Sequence, residues 1–478
     1  MQQHATVVVG DDGGGAGDEA VRGGGVVADL TARLEQVLGR VAELEARLKQ
    51  SSSNSSKPPS SDGLAKPAPK SLRGRSGRGP GRPAGQPGTT LEQVADPDVI
   101  VRHVPAACGG CGAGLTGALP VRVARRQVFD IPDPKIVVTE HQIVTVACPC
   151  GQRTTGTAPA QATAPVAYGP RLAAIGVYLL HGQFLSVSRT AEALSDLFGV
   201  PVAATTVACW VKRTALGIID KVLPVIGDRV AAAPVAHFDE TGLRTAGKLA
   251  WLHSASTATD VLLSVHPRRG TEAMNDADVL PRFTGVAVHD AWAPYDTYTA
   301  ATHALCNAHV LRELVYVTDT ATGQVADLSQ QAITALTSLW RLVCAARAED
   351  REPDQRVIAE PLHLLRSAVI LGAEATTART TPLERKHHNL FLRLRERRAD
   401  YLRSVTNPAV PFDNNAAEQT IRMPKLRIKV SGSMRTLTGA QHFAAIRSYT
   451  ATATRQGINT LDALIQAATG NPWIPTTT

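Results

Sequence analysis

An aspartate stands on the first of four short strand-like segments, and a second closes the fourth. The first segment, Pro234-Val-Ala-His-Phe-Asp239-Glu240-Thr-Gly242, runs into a turn, and residues 249–255 and 260–265 follow as two further strands. A helix-like stretch, Thr271–Leu280, then leads to Gly285-Val-Ala-Val-His-Asp290, with the acid at its C-terminal end. Few folds accept three consecutive strands, a helix and a fourth strand in that order with carboxylates on the first and last.

This is the order of a ribonuclease H-like core, in which the first and fourth strands are sheet neighbours, so Asp239 and Asp290 are expected side by side. Two carboxylates held that close repel unless cations sit between them. A pair of divalent ions about 3.5–4 Å apart is the usual resolution in phosphodiester chemistry, and two Mg²⁺ or Mn²⁺ are expected. Glu418 is the expected third ligand: Asp413-Asn414-Asn415 offers capping side chains, and small Ala416 and Ala417 let the following helix approach a sheet closely. Taken alone, Glu418 reads more readily as a surface ion pair with Arg422 one turn later; it becomes the third ligand because two aspartates upstream lack one. The interval from Asp290 to Glu418 is too long for one crossover. Residues 319–405 fill it with helical periodicity (Ile333–Val343, Pro361–Leu371 and a basic helix Leu390–Arg403), predicting an all-helical insertion in a catalytic domain of residues 233–455, with a tail helix in 456–478. His303, Cys306 and His309, three residues apart, read as the packed face of one helix rather than as ligands. His289 is expected to point away from Asp290 and to be structural.

Charge is distributed unevenly. Of 50 basic and 42 acidic residues, residues 57–83 hold seven basic and one acidic, so most of the formal charge of +8 sits in one Gly/Pro/Ser-rich stretch. Residues 51–97 are therefore expected to be a linker whose Arg73, Arg75, Arg78 and Arg82 bind phosphates without sequence preference. A second basic strip, Arg422, Lys425, Arg427, Lys429, Arg435, Arg447 and Arg455, precedes the next acid at Asp462 and suits a DNA backbone beside the acids. Upstream, residues 1–29 have no sustained period and are expected to be disordered. From Leu30, the steps to Leu34, Val37, Val41, Leu44 and Leu48 alternate 4 and 3, the seam of a coiled coil over residues 30–50. A lone amphipathic helix docked on its own domain is the competing reading.

Four of the seven cysteines fall as Cys108-Gly-Gly-Cys111 and Cys148-Pro-Cys150-Gly151. Two pairs about 40 residues apart on glycine-rich turns suit one structural zinc, and residues 98–165 are expected to be zinc-ribbon-like, with Arg122–Val128 and Ile136–Val146 as paired strands. Cys209, Cys306 and Cys344 read as small buried apolar residues. In the helical region 166–232, Ser188–Phe198, Gly199-Val200-Pro201 and Thr205–Thr214 read as a helix-turn-helix, with Thr205 and Thr206 as caps and Lys212 and Arg213 toward DNA. No apolar run is long enough to span a bilayer, and a cytoplasmic location in a reducing compartment is expected.

In order along the chain stand Asn54-Ser-Ser-Lys-Pro-Pro-Ser-Ser-Asp62, the two cysteine pairs, His237-Phe-Asp-Glu-Thr-Gly242, Val288-His-Asp-Ala-Trp-Ala-Pro-Tyr295, Leu305-Cys-Asn-Ala-His-Val-Leu-Arg-Glu-Leu314 and Asp413-Asn-Asn-Ala-Ala-Glu-Gln419. From about Leu30 onward this resembles a transposase of the insertion sequence 66 family. Cys148-x-Cys150 is one residue shorter than the family's second pair. The resemblance implies a multidomain α+β, DDE-type enzyme with Asp239, Asp290 and Glu418 as its triad. It implies metal-dependent cleavage and strand transfer on double-stranded DNA, at element ends and target, in a nucleoid-associated bacterial homo-oligomer with accessory proteins of the element as possible partners. A non-catalytic DNA-binding regulator, built on the zinc ribbon and helix-turn-helix, is the alternative.

Overall fold

The heptad spacing produces a helix longer than expected. In the computed structural model α1 runs Ala16–Lys49, so residues 16–29 are helical where no regular structure was expected. The structure describes residues 16–51, 54–55, 91–132, 134, 136–159, 162 and 164–476; Arg73, Arg75, Arg78 and Arg82 lie outside these. At about 100° per residue, Leu30, Leu34, Val37, Val41, Leu44 and Leu48 share one side of α1 and are 45–81% exposed. Gly39, Glu43, Ala46 and Gln50 fall on the opposite side, where Ala46 is buried and Glu43 is shielded between Arg40 (2.6 Å) and Arg47 (2.8 Å). Just past the helix, buried Asn54 donates from Nδ2 to Asp319 Oδ2 (2.9 Å) and Lys49 O (3.0 Å). The helix thus docks on its own chain while its heptad seam faces outward, and the first residues of the expected linker are anchored.

Two compact units make up the chain: residues 71–140 with 194–201, and the remainder. Within the smaller, the described part of residues 91–140 forms no strand beyond the isolated Ala107–Gly114 bridge. The expected strand over Arg122–Val128 is absent: among the described residues nothing covers its apolar side chains, and Val123 and Val128 are 76% and 90% exposed. In the larger unit, the Ile136–Val146 alternation yields only β1 (Thr145–Ala147), antiparallel to β2 (Arg153–Thr155).

Helices α2 (Pro170–His181), α3 (Val187–Phe198), α4 (Ala204–Lys221) and α5 (Leu223–Ala231) follow. Gly199, at φ +66°, supplies the left-handed residue that ends α3. Helix α4 starts one residue before the expected caps: Ala203 is its N-cap and gives no side-chain bond, and Thr205 and Thr206 lie inside.

Five strands form the sheet: β3 (Val235–Thr245), β4 (Lys248–Ser256), β5 (Val261–His266), β6 (Val286–His289) and β7 (Thr302–Leu305). The spatial order is β5-β4-β3-β6-β7, antiparallel from β3 to β5 and parallel from β3 to β7. Ala246 and Gly247, both at positive φ, join β3 to β4 in the two-residue hairpin geometry that matches strand twist. Helix α6 (Thr271–Asp276) and Gly285 lead into β6; a Cβ on Gly285 would lie 2.4 Å from Ala233 O, so only glycine permits this entry. The edge strand β5 is covered by α14 (Leu437–Arg455): Leu263 N–H donates to Ser448 Oγ (2.8 Å) and Val261 N–H to Thr452 Oγ1 (3.0 Å). Four helical residues advance about 6 Å and two strand residues about 6.6 Å, so hydroxyls at i and i+4 meet alternate edge amides. Phe184, Leu252, Leu263 and Phe443 close the core between that helix and the sheet.

The chain between β7 and its return to the sheet is helical. Helices α7 (Asn307–Thr320), α8 (Gln324–Ala348), α9 (Gln355–Ala375) and α10 (Pro382–Glu396) bury Leu314, Leu336, Leu339 and Phe391 together. Helix α7 contributes to this core, so the helical body begins before residue 319. The expected basic helix Leu390–Arg403 is broken instead into the end of α10, α11 (Arg398–Tyr401) and α12 (Arg403–Thr406). The chain returns through α13 (Asn415–Ser431) and, beyond α14, ends with α15 (Thr460–Ala468). Among the described residues, no helix is long and apolar enough to cross a membrane.

Candidate active site

Strands β3 and β6 pair in parallel with Val235 opposite Val286 and His237 opposite Val288. Extending this register by two residues beyond the paired stretch brings Asp239 level with Asp290, whose charge acts on Asp239. Successive residues point to opposite faces, and the two faces of β3 have different tasks. On one, His237 Nδ1 lies 2.8 Å from Asn414 Oδ1, whose Nδ2 donates to Phe238 O (2.7 Å), fastening the start of α13 to the strand. Asn414 therefore spends its amide on β3 rather than on capping its own helix, while Asp413 Oδ1 accepts Asn415 N–H (3.1 Å). Asn414 N–H donates to Cys306 Sγ (3.2 Å), and Asn307 Nδ2 donates to Tyr401 O and Phe412 O, so the N-terminus of α7 holds the same segment from behind. Glu418, one turn into α13, is delivered to the Asp239 side.

Burial pushes the Asp239 carboxyl up to about 8, with the neighbouring Glu240, Asp290 and Glu418 charges adding to it and the Glu240 N–H bond to Oδ1 (2.9 Å) opposing it. Among the described residues neither Asp239 nor Asp290 has an ion-pair partner. Asp290 Oδ1 accepts Trp292 N–H at 3.0 Å. The competing Glu418–Arg422 pair does not form among the described residues: Glu418 Oε1 instead meets Arg312 Nη2 (3.3 Å) and His309 Nε2 (3.9 Å), and Arg422 is exposed. An all-oxygen set of three acids, two without a basic partner, fits a hard divalent cation.

On the opposite face of β3, Glu240 is buried and fully engaged. Arg269 reaches its Oε1 from Nη2 (2.6 Å) and Nε (3.0 Å), and Tyr295 Oη donates to Oε2 (2.6 Å). The Arg269 guanidinium also lies 3.9 Å from the Trp292 ring and 4.9 Å from the Trp251 ring. One arginine thereby links the neighbour of Asp239 to a residue two beyond Asp290. His289 is structural, as expected: it stacks on Tyr295 (4.4 Å), bonds to His303 Nδ1 (2.9 Å), and burial pushes its pKa down to about 3.

Sequence reasoning misread His303, Cys306 and His309 as one helical face. His303 lies on β7, Cys306 is the N-cap of α7 and His309 is inside that helix. The motif Leu305–Leu314 already contained His309 and Arg312, whereas nothing in the sequence marked Arg269. Of the lone cysteines, Cys306 is buried but Cys209 and Cys344 are exposed.

The basic strip divides. Arg422, Lys425 and Lys429 recur at helical spacing on the exposed side of α13. Arg427 is turned inward, donating to Gly432 O (2.7 Å) and facing Phe443. Arg447 lies over Phe184, and Arg455 is tied to Thr257 O, Asp260 O and Thr420 Oγ1. These three cations hold the fold together. Lys212 and Arg213 are exposed on α4.

Each cysteine pair forms a tight turn within its own unit. At the first, Cys108 N–H donates to Ala113 O (2.8 Å) and Gly112 N–H to Cys108 O (2.9 Å). At the second, closing the β1–β2 hairpin, Cys148 N–H donates to Gln152 O (2.7 Å) and Gly151 N–H to Cys148 O (2.8 Å), the same turn one residue shorter. Backbone N–H groups aimed at sulfur lower the pKa of Cys108 (from residues 111 and 110) and of Cys150 (from residue 152). Such turns favour thiolates, the form that binds zinc.

Comparison with known families agrees with these observations. The zinc-finger binding domain of the IS66 transposase matches residues 105–151, and a family of unknown function matches residues 17–92. No curated protein matches the chain. The IS66 transposase family matches residues 165–442. That match spans the sheet, the helical insertion and all three acids, and disfavours a non-catalytic regulator. Covering more than half of the chain, it makes this protein a member of the IS66 family of insertion-sequence transposases.

Proposed function

We propose that the protein is a DDE-type enzyme whose ribonuclease H-like domain cleaves and joins DNA strands with Asp239, Asp290 and Glu418. The observation that carries this is the parallel pairing of β3 with β6, whose register extended by two residues sets Asp239 beside Asp290, together with the Asp290 and Glu418 charges that raise the Asp239 pKa. The three carboxylates would hold Mg²⁺ or Mn²⁺, which when bound supplies the Lewis acidity that activates water or a DNA 3′-hydroxyl and stabilises the leaving 3′-oxygen. The chain's own residues do the positioning. His237 and Asn414 lock α13 to β3, so Glu418 keeps a fixed height over the aspartates, and Arg269 and Tyr295 immobilise Glu240 behind them. Arg422, Lys425 and Lys429, on the helix that carries Glu418, would take successive phosphates of double-stranded DNA, with Lys212 and Arg213 contacting it through α4. Cys108, Cys111, Cys148 and Cys150 would hold one structural zinc, and two chains would pair through the exposed seam of α1.

Asp239→Asn and Glu418→Gln are expected to lower cleavage of element-end DNA by several orders of magnitude, while binding of the same DNA changes little. Gel assays of cleavage and of retardation on one substrate check both halves. Unimpaired cleavage by either variant would sink the triad.

A further inference from the structure

A second set of ligand atoms converges on Glu418 from the start of α7, beside the strand that leads to Asp290: Cys306 N–H donates to His289 O (2.9 Å). Cys306 Sγ, a His309 ring nitrogen and a Glu418 carboxylate oxygen all lie within 4.8 Å of one another, a geometry met by this group among the described residues. Ligand bonds of about 2.0–2.3 Å then need a contraction of under about 1 Å. Cys306 is buried at the N-terminus of α7, and its thiol accepts the Asn414 N–H at 3.2 Å and meets the backbone N–H of His309. His309, one turn later, has Nδ1 buried without a hydrogen-bond partner and Nε2 3.9 Å from Glu418 Oε1. Arg312 Nη2 lies 3.3 Å from that same Oε1, and the carboxylate keeps its second oxygen for a further ligand interaction. Sulfur, nitrogen and oxygen donors together differ in kind from the aspartate pair: zinc-class ions take this set, and magnesium does not.

We propose that Cys306, His309 and Glu418 form a site for a thiophilic divalent ion of the Zn²⁺ class, distinct from the cysteine pairs, and that filling it withdraws Glu418 from the aspartates. The thiol gives its proton to solvent as the sulfur–metal bond forms. Glu418 and His309 are the partly exposed members, so the ion enters from their side. The inhibitory half rests on the triad reading; the binding half does not.

The full chain, its cysteine pairs loaded with zinc, is titrated with Co²⁺ in excess Mg²⁺. Wild type is expected to take up one Co²⁺ per chain more than Cys306→Ser, with a sulfur-to-cobalt charge-transfer band that the variant lacks; serine retains an acceptor for Asn414 N–H. His309→Gln is the second variant, expected to weaken the same uptake at least about tenfold, and it decides the matter if circular dichroism shows Cys306→Ser unfolded. Equal uptake and equal spectra in wild type and the folded variants overturn the site. End cleavage is then measured with and without Zn²⁺, each variant against its own zinc-free rate: zinc is expected to inhibit wild type at least tenfold more than Cys306→Ser, and equal inhibition overturns the coupling to Glu418. An active Asp239→Asn enzyme would discard the triad and leave the cobalt titration standing.

Discussion

Asp239 is an acid in a place that disfavours its charge, and stability there opposes function. Without divalent ions its ionised carboxylate faces burial and three neighbouring carboxylates. Asparagine is isosteric and neutral, so Asp239→Asn is expected to stabilise the chelator-treated protein by on the order of 1–2 kcal/mol while abolishing cleavage. Thermal denaturation in chelator measures the first effect, and an unchanged or lower melting temperature would contradict it. His181 presents the opposite charge problem. Its ring nitrogens are buried without partners beside Phe443, and burial, then Arg427, Arg447 and His442, push its pKa from 6.5 to about 3. A folded-state pKa below the unfolded value means stability that is complete above pH 6.5 and lost as pH falls toward 3. At about 1.4 kcal/mol per pH unit, His181→Leu is expected to lose up to about 2.5 kcal/mol less than wild type between pH 6.5 and about 4.5. Parallel denaturant titrations at the two pH values test it, and identical acid losses would refute the assignment.

At the scale of elements, the site is a matter of strands and helix ends held to one another by polar side chains. Arg269, between β5 and α6, joins the β3 and β6 segments through Glu240 and Trp292. Removing it leaves a buried carboxylate with Tyr295 alone, and breaking such a pair costs about 3 kcal/mol. Arg269→Ala is therefore expected to lower stability by that order and to raise the Mg²⁺ concentration needed for half-maximal cleavage, because the acids lose their common backing. Adding Glu240→Gln should recover much of the stability without restoring the Mg²⁺ requirement. Melting curves and Mg²⁺ titrations of the single and double variants form the test; a double variant no more stable than Arg269→Ala would show that the ion pair is not the link.

For the whole molecule, the proposed assembly through α1 has a testable consequence. Its two sides are opposed, so the helix rests on its own chain through Ala46, Glu43 and Asn54 while Leu30, Leu34, Val37, Val41, Leu44 and Leu48 stay exposed, and these would be the seam for a second copy. Burying that seam is favoured by roughly 25 cal/mol per Å² of apolar surface, yet three heptads are marginal alone, so pairing should strengthen when DNA ends bring chains together. Leu34→Lys with Leu44→Lys would place like charges in the seam and is expected to abolish two-ended complexes while single-end binding survives. Sedimentation with DNA ends decides it: a persisting two-chain complex would move the dimer contact elsewhere.

Local periodicity marked the strands, the helical stretches and the heptad helix, and the element order matched to a ribonuclease H-like core set the first and fourth strands side by side, because chain order suffices when neighbouring strands are joined by short turns or by one helix. Glu418 could be picked out as a third acid, but its partners could not, since Arg312 and His309 are over 100 residues away in the chain and meet it only through the return of α13. Arg269, only 29 residues from Glu240, was hidden for a different reason: its role exists only once two loops are brought together. Tertiary structure also overruled the pattern at Arg122–Val128, where alternation found no layer to pack against. It turned Arg427, Arg447 and Arg455 inward because a run of cations has no direction until a helix is packed. Sequence determines which elements form; which charges face each other is decided by packing between segments that the chain keeps far apart.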